Sequence, residues 1–245
     1  MLEIIKLTKS YGTKVALKGV SLNLTPGLYG LLGPNGAGKS TLLQLITDNL
    51  VPDSGRVLWN GRNIIKANRK YRKCLGYAPQ QQGLYDTFTG QQFLAYMGTL
   101  KEIPQKELEE QIEWAAQCVN LTKELPLKIR GYSGGMKQRL LVAQAIMGNP
   151  KLIVLDEPTA GLDPKERVRL RQVLKELSKE KIILVATHVV SDVESAAKEI
   201  IIVKEGTIVA VDKAENLVET YAPGKSLEEV YMQLFSQEYV TEDRR

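Results

Sequence analysis

Nine residues, GPNGAGKST, constrain this chain more than any others. Gly33, Pro34, Asn35, Gly36, Ala37, Gly38, Lys39, Ser40 and Thr41 match G-x-x-x-x-G-K-[ST], the pattern of a phosphate-binding loop. The loop follows a short apolar run, Leu28–Leu32, and opens a helical pattern expected over about Ser40–Asn49. Its glycines let the backbone curl so that N–H groups point inward at an anion, and the helix N-terminus adds partial positive charge. This works only where a strand enters and a helix leaves, so the chain is committed to an α/β core.

A phosphate loop of this kind needs an acid at the end of another buried strand. The segment KLIVLDEP supplies it, with Asp156 closing the apolar run and Glu157 next. Lys39 is expected to reach the β- and γ-phosphates. Ser40 and Asp156 are expected to hold Mg²⁺, and Glu157 to act as general base toward an attacking water.

Around these motifs the pattern changes twice. LEIIKL and VALKGVSLNL alternate like half-buried strands, and RVLWNG reads as another. From about Leu84 to Arg130 strand signals vanish, and Leu108, Ile112, Ala115 and Val119 recur at helical spacing. Strand signals return in LIVLD, KIILVAT and EIIIVKEGTIVAVD, the last a hairpin turning at Gly206. Asp163-Pro164 opens a helix whose apolar face is Leu170, Val173, Leu174 and Leu177. Ser226 and Glu229 form a capping box ahead of Leu227, Val230, Tyr231 and Leu234, and residues after about Gln237 are expected to be loose.

The whole-chain properties exclude several classes. No apolar run approaches the roughly 18 residues of a membrane span, and the N-terminus lacks a signal core, so a soluble, cytosolic protein is expected. The net charge of +5 is spread along the 245 residues, with one loose cluster at Arg69, Lys70, Arg72 and Lys73 that reads as solvated surface. No nucleic-acid partner is expected. Two cysteines, Cys74 and Cys118, and a single histidine, His188, leave no multi-histidine metal site and no disulfide framework.

One further segment, GYSGGMKQRLLVAQAIMGNP from Gly131, looks like a second anion grip. Ser133, Gly134 and Gly135 stand before an expected amphipathic helix with Met136, Leu140, Ala143 and Met147 along one face. Taken in order, these motifs resemble those of the ATP-binding cassette (ABC) ATPases, over about residues 1 to 215. YSGGM resembles that family's signature, usually LSGGQ, with Tyr132 and Met136 in place of the usual leucine and glutamine.

The resemblance implies a P-loop NTPase core with a mixed, largely parallel sheet. It adds an N-terminal antiparallel β subdomain and an inserted helical subdomain, within an ATPase domain at about residues 1–220. The β subdomain and RecA-like core would take about 1–83 and 131–215, the helical subdomain about 84–135, and a C-terminal helix and loose tail 221–245. ATP would lie between the phosphate loop of one core and the Ser133–Gly135 signature of another. This implies an ATP-dependent homodimer, or pairing with another ABC ATPase. Tyr11 resembles the aromatic that stacks on adenine, and Gln80 the glutamine that meets Mg²⁺ and the attacking water. Asp163 resembles the aspartate that reaches across the dimer and is also a helix cap, since both roles are compatible. His188 resembles the histidine that contacts the γ-phosphate.

The implied function is an ATP-hydrolysing subunit of an ABC transporter, with ATP and Mg²⁺. It would bind a separate transmembrane subunit on the inner face of the cell membrane, and the sequence most resembles bacterial export cassettes of the drug, antibiotic or lipid type. An importer subunit, or a soluble ABC ATPase outside transport such as one of iron–sulfur assembly, stays open as an alternative.

Overall fold

Two sheets organise the chain, and the phosphate loop is wedged between them. The computed structural model describes residues 1–80 and 83–235, with only the backbone of Asn68. The expectation of a loose tail after Gln237 lies outside these residues.

In chain order, β1 (Leu2–Tyr11), β2 (Lys14–Leu24) and β3 (Gly27–Leu32) precede α1 (Lys39–Ile46). Then come β4 (Ser54–Trp59), β5 (Arg62–Asn63), α2 (Ile64–Lys73) and β6 (Leu75–Ala78). The middle is helical, with α3 (Gly90–Leu100), α4 (Gln105–Cys118) and α5 (Gly134–Ile146). The rest is β7 (Leu152–Asp156), α6 (Pro164–Leu177), β8 (Ile182–Thr187), β9 (Glu199–Lys204), β10 (Thr207–Asp212), α7 (Ala214–Tyr221) and α8 (Leu227–Phe235).

One sheet is antiparallel, in the order β2-β1-β4-β5. The other runs β10-β9-β3-β8-β7-β6, parallel throughout except for the terminal β9-β10 hairpin. This is the mixed α/β architecture expected from the motifs. Alternation along the parallel strands divides the interior in two. Tyr29, Leu31, Val154, Leu184 and Ile201 face the antiparallel sheet and α1. Leu28, Leu32, Ile153, Leu155, Ile183, Val185 and Ile200 face the core that includes residues of α3 to α8. Because both faces are covered, β7 and β8 are buried at every position.

The order of the central strands positions the chemistry. β3 pairs with β8, and β8 with β7, so the loops leaving all three emerge side by side at one sheet edge. Those loops carry Gly33–Gly38, His188 and Glu157. Ligand sites in open parallel sheets form at the carboxyl ends of the strands.

Three local expectations are revised. The helix after the phosphate loop ends at Ile46 rather than near Asn49, because Asp48 adopts a left-handed conformation (φ 58°). The N–H groups of Asn49 and Leu50 then fold back onto the Gln44 carbonyl. The helix of the second grip is not one-faced: from Leu140 through Met147 every residue is buried, because it packs on β6 and β7 and on α3 and α4. Finally, α2 and β6 fill a stretch where no element is expected from the sequence. The charge cluster lies on α2 and is exposed, as expected of a solvated surface, with surface ion pairs from Arg69 and Lys73 to Glu102 and from Arg72 to Asp48.

At the C-terminal end, Ser226 and Glu229 form the expected box. The Ser226 N–H donates to the Glu229 carboxylate at 2.9 Å, and the Glu229 N–H donates to Ser226 Oγ at 3.2 Å. Leu227, Val230 and Phe235 are buried, and Lys204 Nζ donates to the Leu234 carbonyl at 3.0 Å. Among the described residues no helix is long and apolar enough to cross a membrane.

Candidate active site

The phosphate loop leaves β3 and turns into α1 at Gly38, whose φ of 109° is a conformation that side-chain-bearing residues rarely adopt. A Cβ there would lie 2.6 Å from the Ala16 carbonyl oxygen on β2. One at Gly33 would lie 2.4 Å from the Val203 carbonyl oxygen on β9. The loop therefore touches both sheets. Lys39 is 6% exposed, and its ammonium donates to the carbonyls of Gly33 at 2.6 Å and Pro34 at 3.2 Å. Burial lowers its pKa, while Glu157 and Asp156 nearby pull it back up.

The acids stand opposite. Asp156, at the end of β7, is 3% exposed. Burial raises its carboxyl pKa, and a hydrogen bond with Ser40 counters the rise. Glu157 is 6% exposed and holds a left-handed backbone (φ 51°). Such strain costs roughly 1–3 kcal/mol and persists where the surroundings over-determine it. Here the Glu157 N–H donates to the Ala186 carbonyl at 2.8 Å, and Gln138 Nε2 donates to the Glu157 carbonyl at 3.1 Å. The carboxylate is gripped as well. Thr187 Oγ1 donates to Oε2 at 3.2 Å, and His188 Nδ1 lies 2.8 Å from Oε1. A carboxylate only accepts, so this contact places a proton on Nδ1 of His188.

A cleft of about 360 Å³ opens over the loop. It is lined by Tyr11, Pro34, Asn35, Gly36, Gly38, Lys39, Ser40, Thr41, Gln80, Asp156 and Glu157, joined by Lys14 and Ala16. Tyr11 is 48% exposed at the end of β1, and Gln80 is exposed just past β6. Ala37, within the loop, is buried. His188 joins this group through Glu157.

The residues of the second grip do not line the cleft: Ser133, Gly134, Gly135 and Asp163 lie elsewhere. Ser133 caps α5, its Oγ accepting from the Met136 N–H at 3.2 Å. In return the Ser133 N–H approaches Met136 Sδ at 3.4 Å, a thioether in the position that Glu or Gln takes in a capping box. Gly135 has no room for a side chain, since a Cβ would lie 2.7 Å from the Gly161 carbonyl oxygen. Asp163 caps α6, accepting the Glu166 N–H at 2.9 Å. Tyr132 is buried and donates its hydroxyl proton to the Glu124 carbonyl at 2.7 Å; burial pushes its pKa up to about 12.

The donor set suits Mg²⁺. Among the described residues no cluster of three or more His, Cys, Asp or Glu could cage a metal, so a soft-metal or all-protein site does not fit. Mg²⁺ asks for less: one or two oxygen ligands from protein, with the rest from substrate phosphates and water. Ser40 and the Asp156 carboxylate, which line the same cleft beside the loop, meet that demand.

Two positioning groups, Thr187 and Gln138, escaped the sequence reading. Thr187 directly precedes His188 and was open to notice on that ground. Gln138 lies one turn into α5 and gives no local signal.

Fold and site together define a P-loop nucleotide hydrolase. Comparison with known proteins narrows the class. The family model described as ABC transporter matches residues 17–160. The "Uncharacterized ABC transporter ATP-binding protein YxlF" of Bacillus subtilis is 38% identical over 209 residues, 85% of this chain and 69% of that protein. The "Linearmycin resistance ATP-binding protein LnrL" of the same organism is 34% identical over 219 residues, 89% of this chain and 70% of that protein. Among solved structures, the "ATP binding subunit of ABC transporter" superposes with a TM-score of 0.87 at 27% identity, covering 96% of this chain and 99% of the other. The dimeric cassette MJ0796, also solved in a post-hydrolysis state with ADP and Pi, gives 0.81 at 27% identity, covering 87% and 98%. The chain belongs to the ABC transporter ATP-binding proteins, a family of ATPases.

Proposed function

We propose that two copies of this chain close head to tail around two ATP molecules, driving export through a separate membrane subunit. The observation that carries this reading is the separation of the two grips. The cleft gathers Tyr11, the phosphate loop, Gln80, Asp156 and Glu157, yet a second helix N-terminus, capped by Ser133 and opening on Gly134 and Gly135, stands outside it. A second copy would bring its Ser133 terminus, with Asp163, to the open side of this cleft. The dimeric MJ0796 cassettes support such a pairing.

In this reading Tyr11 stacks on the base, and backbone N–H groups of Gly33–Thr41 with Lys39 hold the phosphates. Ser40, Asp156 and Gln80 would hold Mg²⁺, which when bound neutralises charge on the phosphate oxygens. Glu157 takes the proton from the attacking water, and His188, already aligned by that carboxylate, faces the γ-phosphate. Ser133 of the partner copy completes the charge stabilisation.

The helical segment of about 84–135 and the Gln80 loop would form the surface for the membrane subunit, which would place the chain on the inner face of the cell membrane. Export is supported by the likeness to the linearmycin resistance protein. The test is an affinity pull-down from native membranes in mild detergent, read by mass spectrometry. A polytopic membrane protein in comparable amount is expected. Recovery only with iron–sulfur assembly factors would overturn the transport reading while leaving the ATPase standing.

A further inference from the structure

Asp192 carries a buried carboxylate that the hydrolytic chemistry does not use. Its side chain is 2% exposed, in the 3-10 turn Val190–Asp192 that follows His188. One oxygen accepts the Thr159 hydroxyl proton, and the other faces the Arg167 guanidinium at 4.0 Å. Thr159 is itself buried, in the loop that runs from Glu157 to Asp163. Arg167 Nε donates to the carbonyl of Leu162, the residue before Asp163, at 3.2 Å. One turn along α6, Arg171 donates to the Ser191 carbonyl.

A buried carboxylate is costly unless it is paired and hydrogen-bonded. Here its partners come from two other elements, the Glu157–Asp163 loop and α6. None of the three can shift alone without stranding the charge. The turn is also backed by α8, which packs against it. At its near end the same segment holds the hydrolytic carboxylate, through His188 and through Thr187, which also accepts the Val189 N–H at 3.0 Å.

We propose that Asp192 is a positioning residue that latches the His188 segment to the loop bearing Asp163, so that events at one nucleotide are passed to the site shared with the other copy. The inference rests on the two-site dimer reading above. The latch is made of the Thr159 hydroxyl, the Asp192 carboxylate and the Arg167 guanidinium. It moves no proton in the reaction.

The test is steady-state hydrolysis against ATP concentration, with the full chain and three variants. Wild type is expected to be cooperative, with a Hill coefficient approaching about 2 for two coupled sites. Thr159→Val keeps the shape and removes the hydroxyl; its Hill coefficient is expected to fall to about 1. Thr159→Ser restores the donor and should restore cooperativity. Asp192→Asn keeps the shape and removes the charge facing Arg167, and serves if Thr159→Val does not fold. Cooperative wild type with equally cooperative Thr159→Val, or with an equally cooperative Asp192→Asn where that variant stands in, overturns the latch and leaves the dimer. Loss in Thr159→Ser as complete as in Thr159→Val also overturns it, since packing alone would then be at work. Hydrolysis without cooperativity in wild type overturns the two-site reading, and the latch with it.

Discussion

The Nδ1 atom of His188 lies 2.8 Å from Oε1 of Glu157, so the two residues to which the proposed mechanism gives the γ-phosphate are already joined. Thr187 holds the other carboxylate oxygen and Gln138 the backbone carbonyl. An amide in place of the carboxylate keeps the shape and an acceptor oxygen but cannot take a proton from water. Glu157→Gln is expected to lower turnover by roughly 10²-fold or more. ATP affinity should persist, and the variant should accumulate as an ATP-dependent dimer. Steady-state turnover and size-exclusion chromatography with light scattering check both; a monomer at every ATP concentration argues against the paired-site reading.

Gly135 tests the second grip without touching the cleft. An alanine there would set its Cβ 2.7 Å from the Gly161 carbonyl oxygen, in backbone that cannot give way as a flexible side chain would. Gly135→Ala is expected to displace the Ser133 terminus from the Gly161–Asp163 loop. ATP binding by the monomer should survive, measured by fluorescence of an ATP analogue, while hydrolysis and ATP-dependent dimerisation are lost. Normal hydrolysis would show that this close approach is unimportant.

Met136 offers a milder change. Its sulfur is a weak acceptor for the Ser133 N–H. Met136→Gln supplies a carbonyl oxygen at the same place and completes a capping box. A gain of about 0.5 kcal/mol is expected, or roughly 1–2 °C in Tm for a chain of this size. Calorimetry checks it, and an unchanged or lowered Tm would mean that the thioether already serves as well as an amide.

Lys101 predicts a pH dependence. Its side chain is half-buried at the end of α3, donating to the carbonyls of Gln144, Ala145 and Met147 at the end of α5. Burial lowers its pKa to about 7 from 10.5. Between those values the unfolded chain binds the proton and the folded one does not. Stability from this residue therefore rises with pH, starting near 7 and levelling off near 10.5, by at most about 1.4 kcal/mol per unit. Below about 7 the cost of the buried charge is present in full. The wild-type rise should be steeper than that of Lys101→Met, compared by urea unfolding from pH 6 to 9; parallel curves would remove Lys101 as the cause.

Much of the fold was legible because its signals are local. The Asp163-Pro164 start of α6, the Ser226–Glu229 box and the Gly206 hairpin each declare themselves within a few residues. The phosphate loop, Asp156 and Glu157 were legible for the same reason, and the cleft gathers them as the motifs led one to expect. What escaped depends on distant partners. Among the described side chains of α2 only Ile64 and Tyr71 are deeply buried, amid a run of basic residues, so no apolar stripe betrays the helix. β6 has four residues, one of them Gly76, chosen because the Ala145 carbonyl crowds it: a Cβ would lie 1.9 Å away. Gln138 and Asp192 look like ordinary polar residues until folding sets them against Glu157 and Thr159.

The wedge formed by Ala16, Gly33, Gly38, Val203 and Gly206 has a consequence for how the molecule assembles. The Lys18 N–H donates to the Gly206 carbonyl at 2.8 Å, and the Gly206 N–H to Ala37 at 2.9 Å, tying the first hairpin to the last one through the loop between them. Contacts so remote along the chain carry a large loop-closure cost and form slowly. The phosphate loop thus acquires its working shape only when the two ends of the chain have met. A nascent chain released before β9 and β10 emerge would carry the whole motif and yet have no finished cradle, so nucleotide capture reports completion of the fold.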